Sequence, residues 1–301
     1  MNLRQLEYFL GVARSGSFTA GALQLGVAQP TLTKSIRALE VELGVALFER
    51  SARGVVVTPF GAALQRHAER VGLQLKDATD ELAALRSHAG GPVVIGAGPA
   101  WLRRLLPEAV AGAISRQPTL RVSLLGGFDD MLLKGLRAGE LDFVVAELPP
   151  LENARDLDVL PLTTDTLGVV CRASHPLVGR KRLAPRDVLA YPWVMPPHRT
   201  RAHQRLSALF VSADLPVPTI AVTTESMALL LRLLASCDAL TFTVSTTITL
   251  PEAAGLVMLD VPQLAAKRAA GIITRKGAWV SPAAQSIIED LRAICARVQR
   301  N

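Results

Sequence analysis

The sequence predicts an α/β chain in three parts: a small helical module closed by a hairpin, one long helix, and a larger region of alternating strands and helices. Three observations predict it. Apolar residues recur at helical spacing over the first ~45 positions. A heptad pattern then runs from Leu64 to Leu85, and short apolar runs alternate with amphipathic stretches from residue 92 onward.

The 301 residues suffice for about two or three domains. Half are hydrophobic and 20% charged, which excludes bulk disorder. Cys171, Cys237 and Cys295 are odd in number and far apart, so they form neither a zinc cluster nor a disulfide framework, and a reducing compartment is expected. Arg4, Glu7 and Arg14 interrupt the N-terminal apolar stretch, unlike a signal peptide. Arg232 breaks the apolar run around Met227 to Leu234, so no membrane span or membrane partner is expected. The expectation is a soluble cytoplasmic protein.

The net charge of +7 admits nucleic acid as a partner. Residues 1–90 hold ten Lys and Arg against eight Asp and Glu, and residues 91–301 hold 23 against 18. No polybasic tail exists, so a nucleic-acid contact would have to come from a shaped surface.

In the first module, Leu3, Leu6, Phe9, Leu10 and Ala13 make one apolar helix face. Gly16 stops that helix and Ser17 caps the next, Phe18 to Leu25. Gly26 permits a sharp turn. A third helix opens at Gln29-Pro30, where the missing N–H of Pro30 is tolerated. Its buried face is Leu32, Ile36, Leu39 and Leu43, and Gly44 ends it. Thr31, Thr33, Lys34, Arg37 and Ala38 then point outward, as in a helix-turn-helix. Residues 47–50 and 55–58 make the two strands of a wing, with Arg50 and Arg53 placed to reach phosphate. The bland alternative is a helical module with an ordinary solvated face.

From Pro59 to His88 one long helix is expected. Leu64, Ala68, Val71, Leu75, Ala78, Leu82 and Leu85 follow spacings of four and three, the seam of a coiled coil that needs a partner helix. Gly90-Gly91-Pro92 closes it.

Beyond it, strands are expected at 93–95, 120–125, 141–146, 166–172, 193–195, 219–222, 239–243 and 271–274. Helices are expected at 101–114, 130–138, 201–212, 226–235 and 281–297. The order βαβαβ predicts a parallel sheet with helices on its faces. Glycines near 96 and 126 lack nucleotide-loop spacing, and none of the five histidines lies in a catalytic or metal motif. No catalytic residue, metal site or cofactor is expected.

The first sixty residues resemble the N-terminal domain of LysR-type transcriptional regulators. The resemblance rests on "GSFT" at the turn, "QPTLTKSIRALE" on the third helix, "LGVALFER" entering the wing, and "TPFG" opening the long helix. Further along, "LLKGLRAGELDFVVAE" is similar to the family's effector domain, and the similarity extends over the whole chain. It implies a winged helix-turn-helix over 1–58, a linker and dimerisation helix over 59–89, and a two-lobed, periplasmic-binding-protein-like effector domain over 92–301. Lobe I would comprise 92–162 and 267–301, and lobe II 163–266. Gln29, Pro30, Thr31, Thr33, Lys34, Arg37, Arg50 and Arg53 would then face DNA. Two departures stand out: Ala28 where a Ser or Thr cap is usual, and Gly21 where alanine is usual, at a helix cost of ~1 kcal/mol.

In two-lobed α/β domains ligands meet strand ends and helix starts. That places Pro99, Ala100, Trp101 and Phe128 on one lobe, and Pro197, His198, Arg199, Thr200, Ser226 and Thr243 on the other. His198 and Arg199 would hold an organic anion, with Arg201 as competitor for that role. The partners implied are double-stranded DNA, a small-molecule effector, a second copy through the long helix, a tetramer, and RNA polymerase. The rival reading is a small-molecule-binding protein or enzyme whose N-terminal module serves only assembly.

Overall fold

A computed structural model describes residues 1–51, 54–86 and 91–299. It divides into two units, Met1–Leu82 and Ala83–Asn301.

In the first unit, α1 (Leu3–Ser15) begins at Asn2 with reciprocal capping. The Gln5 N–H donates to Asn2 Oδ1 at 3.0 Å, and the Asn2 N–H donates to Gln5 Oε1 at 2.9 Å. Gly16, at φ 63°, ends it in the left-handed conformation that glycine adopts without penalty. Ser17 caps α2 (Phe18–Gln24). A Cβ on Gly21 would lie 3.1 Å from the Gly11 carbonyl oxygen, so the glycine lets α1 and α2 approach closely. α3 (Gln29–Leu43) has no side-chain cap at Ala28, whose carbonyl accepts the Thr31 and Leu32 N–H groups. Leu32, Ile36 and Leu39 are buried as expected, but Leu43 is exposed, because Gly44 ends the helix just beyond it.

The wing is β1 (Phe48–Ser51) paired antiparallel with β2 (Gly54–Val57). Phe48 brings it onto the core, 5.2 Å from the Phe9 ring and 5.7 Å from that of Phe18. Glu40 Oε1 on α3 accepts the Leu47 N–H at 2.8 Å, which fixes the approach to the wing. Thr58 opens α4 (Pro59–Arg86): its Oγ1 donates to the Ala46 carbonyl at 2.7 Å and accepts the Gly61 N–H at 3.0 Å.

Only part of the expected seam on α4 is open. Ala68 is buried and Leu64 half-buried in the core of this unit, so both are used within the chain. Val71, Leu75, Ala78, Leu82 and Leu85 are exposed. His67 is exposed, and His88 lies outside the described residues.

The second unit is built on one seven-stranded sheet in the order β10-β6-β11-β5-β3-β4, with β9 also on β6. Here β3 (Val93–Ala97) pairs parallel with β4 (Val122–Gly126) and β5 (Phe143–Glu147). The expected all-parallel sheet is corrected beyond that point. β6 (Leu157–Arg172) and β11 (Ala266–Arg275) run antiparallel to each other, and β11 is antiparallel to β5. β9 (Thr241–Val244) and β10 (Leu256–Met258) are antiparallel to β6. β7 (Trp193–Met195) pairs parallel with β8 (Ile220–Thr223) and is bridged to the β9 side at Leu240.

The register shifts between Ala270 and Gly271, where Pro161 faces Gly271. A Cβ on Gly271 would lie 2.1 Å from the Leu160 carbonyl oxygen, so only glycine fits. Pro161, which has no N–H to donate, is tolerated there because the ladder is interrupted at the register shift.

Helices cover both faces of each half. α6 (Leu106–Arg116) and α10 (Pro282–Val298) pack on Phe143 and Val145, while α7 (Asp129–Arg137) packs on Val144 and Ala146. In the other half, α8 (Arg201–Ser212) packs on Leu167, Val169 and Cys171, and α9 (Met227–Ser236) on Val170. The alternation along β5 and β6 is the period-two signature of strands buried on both faces. The helix expected over 101–114 is two pieces, α5 (Pro99–Arg103) and α6. Pro107 lacks an N–H and would clash with the Arg103 carbonyl in one continuous helix.

Candidate functional site

Two surfaces carry the chemistry expected from the sequence. The first is the outward face of α3. Gln29, Pro30, Thr31, Lys34 and Arg37 are exposed, and Thr33 is half-buried. Gln29 Nε2 donates to Thr33 Oγ1 at 3.2 Å, which orients both at the helix start. Among the described residues neither Lys34 nor Arg37 has an acidic partner, so both charges are available to a ligand. Arg50 stands on β1 opposite Val55; its side chain, and all of Arg53, lie outside the described residues.

The second is a cavity in the α/β unit, about 800 Å³ counted to its open mouth. It is walled by strand ends and helix starts from both halves. Pro99, Ala100, Trp101, Phe128, Thr200, Ser226 and Thr243 line it as expected. Trp101 also belongs to the core of the first half, 5% exposed, so it serves packing and lining together.

Pro197, His198 and Arg199 do not line this cavity. After Pro196 the chain turns, with the Thr200 N–H donating to the Pro197 carbonyl at 2.9 Å, and the crest of that turn carries 197–199 away. Arg199 is exposed and ion-paired with Glu225, beside a smaller recess that it shares with Phe128 and Met131. His198 and Arg199, expected to hold an anion, therefore stand outside this cavity.

Arg201, one residue past the Thr200 cap, turns inward. Its Nη1 donates to the Leu148 carbonyl at 2.8 Å and to that of Glu147 at 3.2 Å, and its Nε lies 3.8 Å from Asp129. Arg205 is one helical turn further along the same face of α8. Its Nη2 donates to Glu147 Oε1 at 2.6 Å. Arg268, on the crossing strand β11, lies 3.5 Å from Glu147 Oε2 and 3.3 Å from Asp165. Glu147, only 5% exposed, thus gathers arginines from the second half and from a crossing strand. Burial pushes the Asp129 carboxyl above its ordinary range; Arg201 opposes this, while Glu147 adds to it.

Arg268 was not among the expected site residues, whereas Glu147 and Asp129 lie where a ligand is expected to meet strand ends and helix starts, a signal the sequence carried. Arg268 lies inside a strand and carried none. Hydroxyls line the other wall: Thr224, Thr241 and Thr247 join Thr200, Ser226 and Thr243.

A winged helix-turn-helix with an unpaired basic face, joined to a two-lobed α/β unit with a cavity between its halves, defines an effector-responsive DNA-binding regulator. Comparison with known proteins agrees. Residues 3–62 match the bacterial regulatory helix-turn-helix protein, lysR family, and residues 86–296 the LysR substrate binding domain. The SDS degradation transcriptional activation protein of a Pseudomonas species is 32% identical over 95% of this chain and 94% of its own. The transcriptional regulator PcaQ of Agrobacterium fabrum is 31% identical over 80% of this chain and 77% of its own. The crystal structure of full-length CbnR complexed with its target DNA shares the fold, with a TM-score of 0.59 at 24% identity over 98% of this chain and all of that one. The chain belongs to the LysR family of transcriptional regulators, which are not enzymes. No helix among the described residues is long and apolar enough to cross a membrane.

Proposed function

We propose that this regulator reads operator DNA through α3 and the wing and is switched by a small organic molecule held in the α/β cavity. The observation that carries the reading is the cavity itself: both halves contribute to it, and β6 and β11 connect them. A ligand touching both halves biases their closure by its differential affinity for the open and closed arrangements. Gln29, Pro30, Thr31, Thr33, Lys34 and Arg37, with Arg50 and Arg53 of the wing, are the proposed DNA contacts.

The proposed functional division is 1–58 for DNA, 59–89 for assembly and 92–301 for the effector, with lobe I at 92–162 and 267–301 and lobe II at 163–266. Val71, Leu75, Ala78, Leu82 and Leu85 would pair two copies, and pairs of dimers would span longer operators. The protein would act in the cytoplasm and contact RNA polymerase at the promoter.

The test is selection of bound fragments from random duplex DNA, followed by footprinting with and without a small-molecule extract of the host cells. The reading expects the extract to change the footprint of the parent and not that of Thr243→Phe, which fills the cavity. An unchanged parent footprint, or an equal change in the variant, would remove the cavity from the switch.

A further inference from the structure

Among the described residues, the four arginines around the cavity are already engaged by the protein's own oxygens. Arg199 is taken by Glu225, Arg205 by Glu147, and Arg268 by Glu147 and Asp165. Arg201 is taken by the two backbone carbonyls and approached by Asp129. Among the described residues the charged side chains on the lining are Asp129, Glu147, Glu225 and Arg268, so carboxylates outnumber cations three to one.

Helix starts could attract an anion instead, but acidic side chains stand at two of them. Asp129 is the first residue of α7, and Glu225 immediately precedes the Ser226 cap of α9. A carboxylate ligand would enter beside like charges, and Arg268, the cation on the described lining, already faces Glu147 and Asp165, an arrangement that disfavours binding.

What the lining does offer is neutral. Among the described residues six hydroxyl side chains line it together with Trp101, Phe128, Leu167, Leu230 and Phe242; those of Thr200 and Thr241 already donate, to the Pro197 carbonyl and the Met195 sulfur. Thr243 and Thr247 share one hydrogen bond at 3.1 Å, which leaves lone pairs and one hydroxyl proton for a ligand. Arg268 keeps its buried Nε–H without an acceptor, so one ligand oxygen would satisfy it.

We propose that the cavity is built for an uncharged organic molecule, with an apolar body and hydroxyl or carbonyl groups, and that it discriminates against carboxylates. The proposal rests on the cavity being the effector site, and Glu147 takes the place among the arginines that a ligand carboxylate would otherwise fill.

The test uses a set of small aromatic and alicyclic scaffolds, each carried as a carboxylate, a primary amide and an alcohol. Binding to the full-length protein is measured by ligand-observed NMR and calorimetry. Thr243→Phe and the milder Ala202→Leu, both checked for folding by thermal melting, identify which binding depends on the cavity. The expected result is cavity-dependent binding of amides or alcohols at least ~tenfold tighter than of their matched carboxylates, about 1.4 kcal/mol. Cavity-dependent binding in which carboxylates equal or exceed their neutral partners overturns the proposal while sparing the site. Binding untouched by both variants, or absent throughout, overturns the site and the proposal with it.

Discussion

At the scale of single residues, exposure and pairing decide what each charge can do. Arg37 is exposed without an acidic partner among the described residues, so replacing it should leave the fold intact and remove only the proposed contact to DNA. Arg37→Ala should lose about 1–3 kcal/mol of affinity for a selected operator if it meets a guanine edge, read by gel shift at fixed salt. Equal affinity of parent and variant for the operator would exclude that contact. Asp129 is the opposite case. Burial holds its carboxyl above the ordinary 3.8, with Arg201 opposing, so the folded protein binds this proton more tightly than the unfolded chain. The stability that follows is complete below pH 3.8 and is lost as pH rises through the elevated folded value. Asp129→Asn, which cannot ionise, should therefore unfold at higher temperature than the parent at neutral pH, with the difference closing in acid. A difference that stays constant with pH would place the effect in packing instead.

At the scale of elements, α4 divides by burial into a part that folds the N-terminal unit and a part that is open. Leu64 and Ala68 pack against the winged module, whereas Leu75 is 44% exposed and Leu82 61%. Leu75→Asp should halve the mass seen in sedimentation without lowering the melting temperature of the first unit, since a charge is costly only where a partner buries it. Leu64→Asp should do the reverse: the unit loses stability because the charge enters its own core. If Leu75→Asp leaves the mass unchanged, α4 is not the interface.

The same helix shows what the sequence could and could not convey. Heptad spacing marks apolar positions but not which of them the chain's own core will claim. Elements with strong periodicity and clean punctuation, such as α3, β7 and α8, were legible almost to the residue. β6 was legible only from Thr166, because Pro161 and the polar run Thr163-Thr164-Asp165 mask a strand whose missing hydrogen bond is absorbed at the Gly271 irregularity. In the cavity, residues at strand ends and helix caps were legible. The inward Arg201 and outward Arg199 were not separable, since two residues of turn geometry decide between them and no periodicity encodes that.

At the scale of the whole molecule, two units fold around separate cores, and within the second unit both halves meet at Glu147. The crossing strands β6 and β11 hold the halves together covalently, and the Arg103–Glu252 pair at 2.6 Å adds a contact near the surface. Exposed pairs of that kind contribute little, so the buried carboxylate is the stronger tie. Removing it would leave Arg268 with Asp165 alone and Arg205 without an acidic partner among the described residues. An uncompensated buried charge costs about 3–5 kcal/mol, and the lower end applies here because Arg205 is 28% exposed and keeps some water. Denaturant unfolding followed by hydrogen exchange resolves the two units, since separate cores need not melt together. Glu147→Ala should lower the stability of the second unit by about 3 kcal/mol and leave amides of α1 to α3 unchanged, while Glu147→Gln, which keeps an acceptor for Arg205, should lose less. Equal losses in both variants would assign the effect to volume rather than charge. Loss of protection in α1 to α3 would mean that the charge cluster also stabilises the N-terminal unit, and the two units would then have to be treated as one cooperative system.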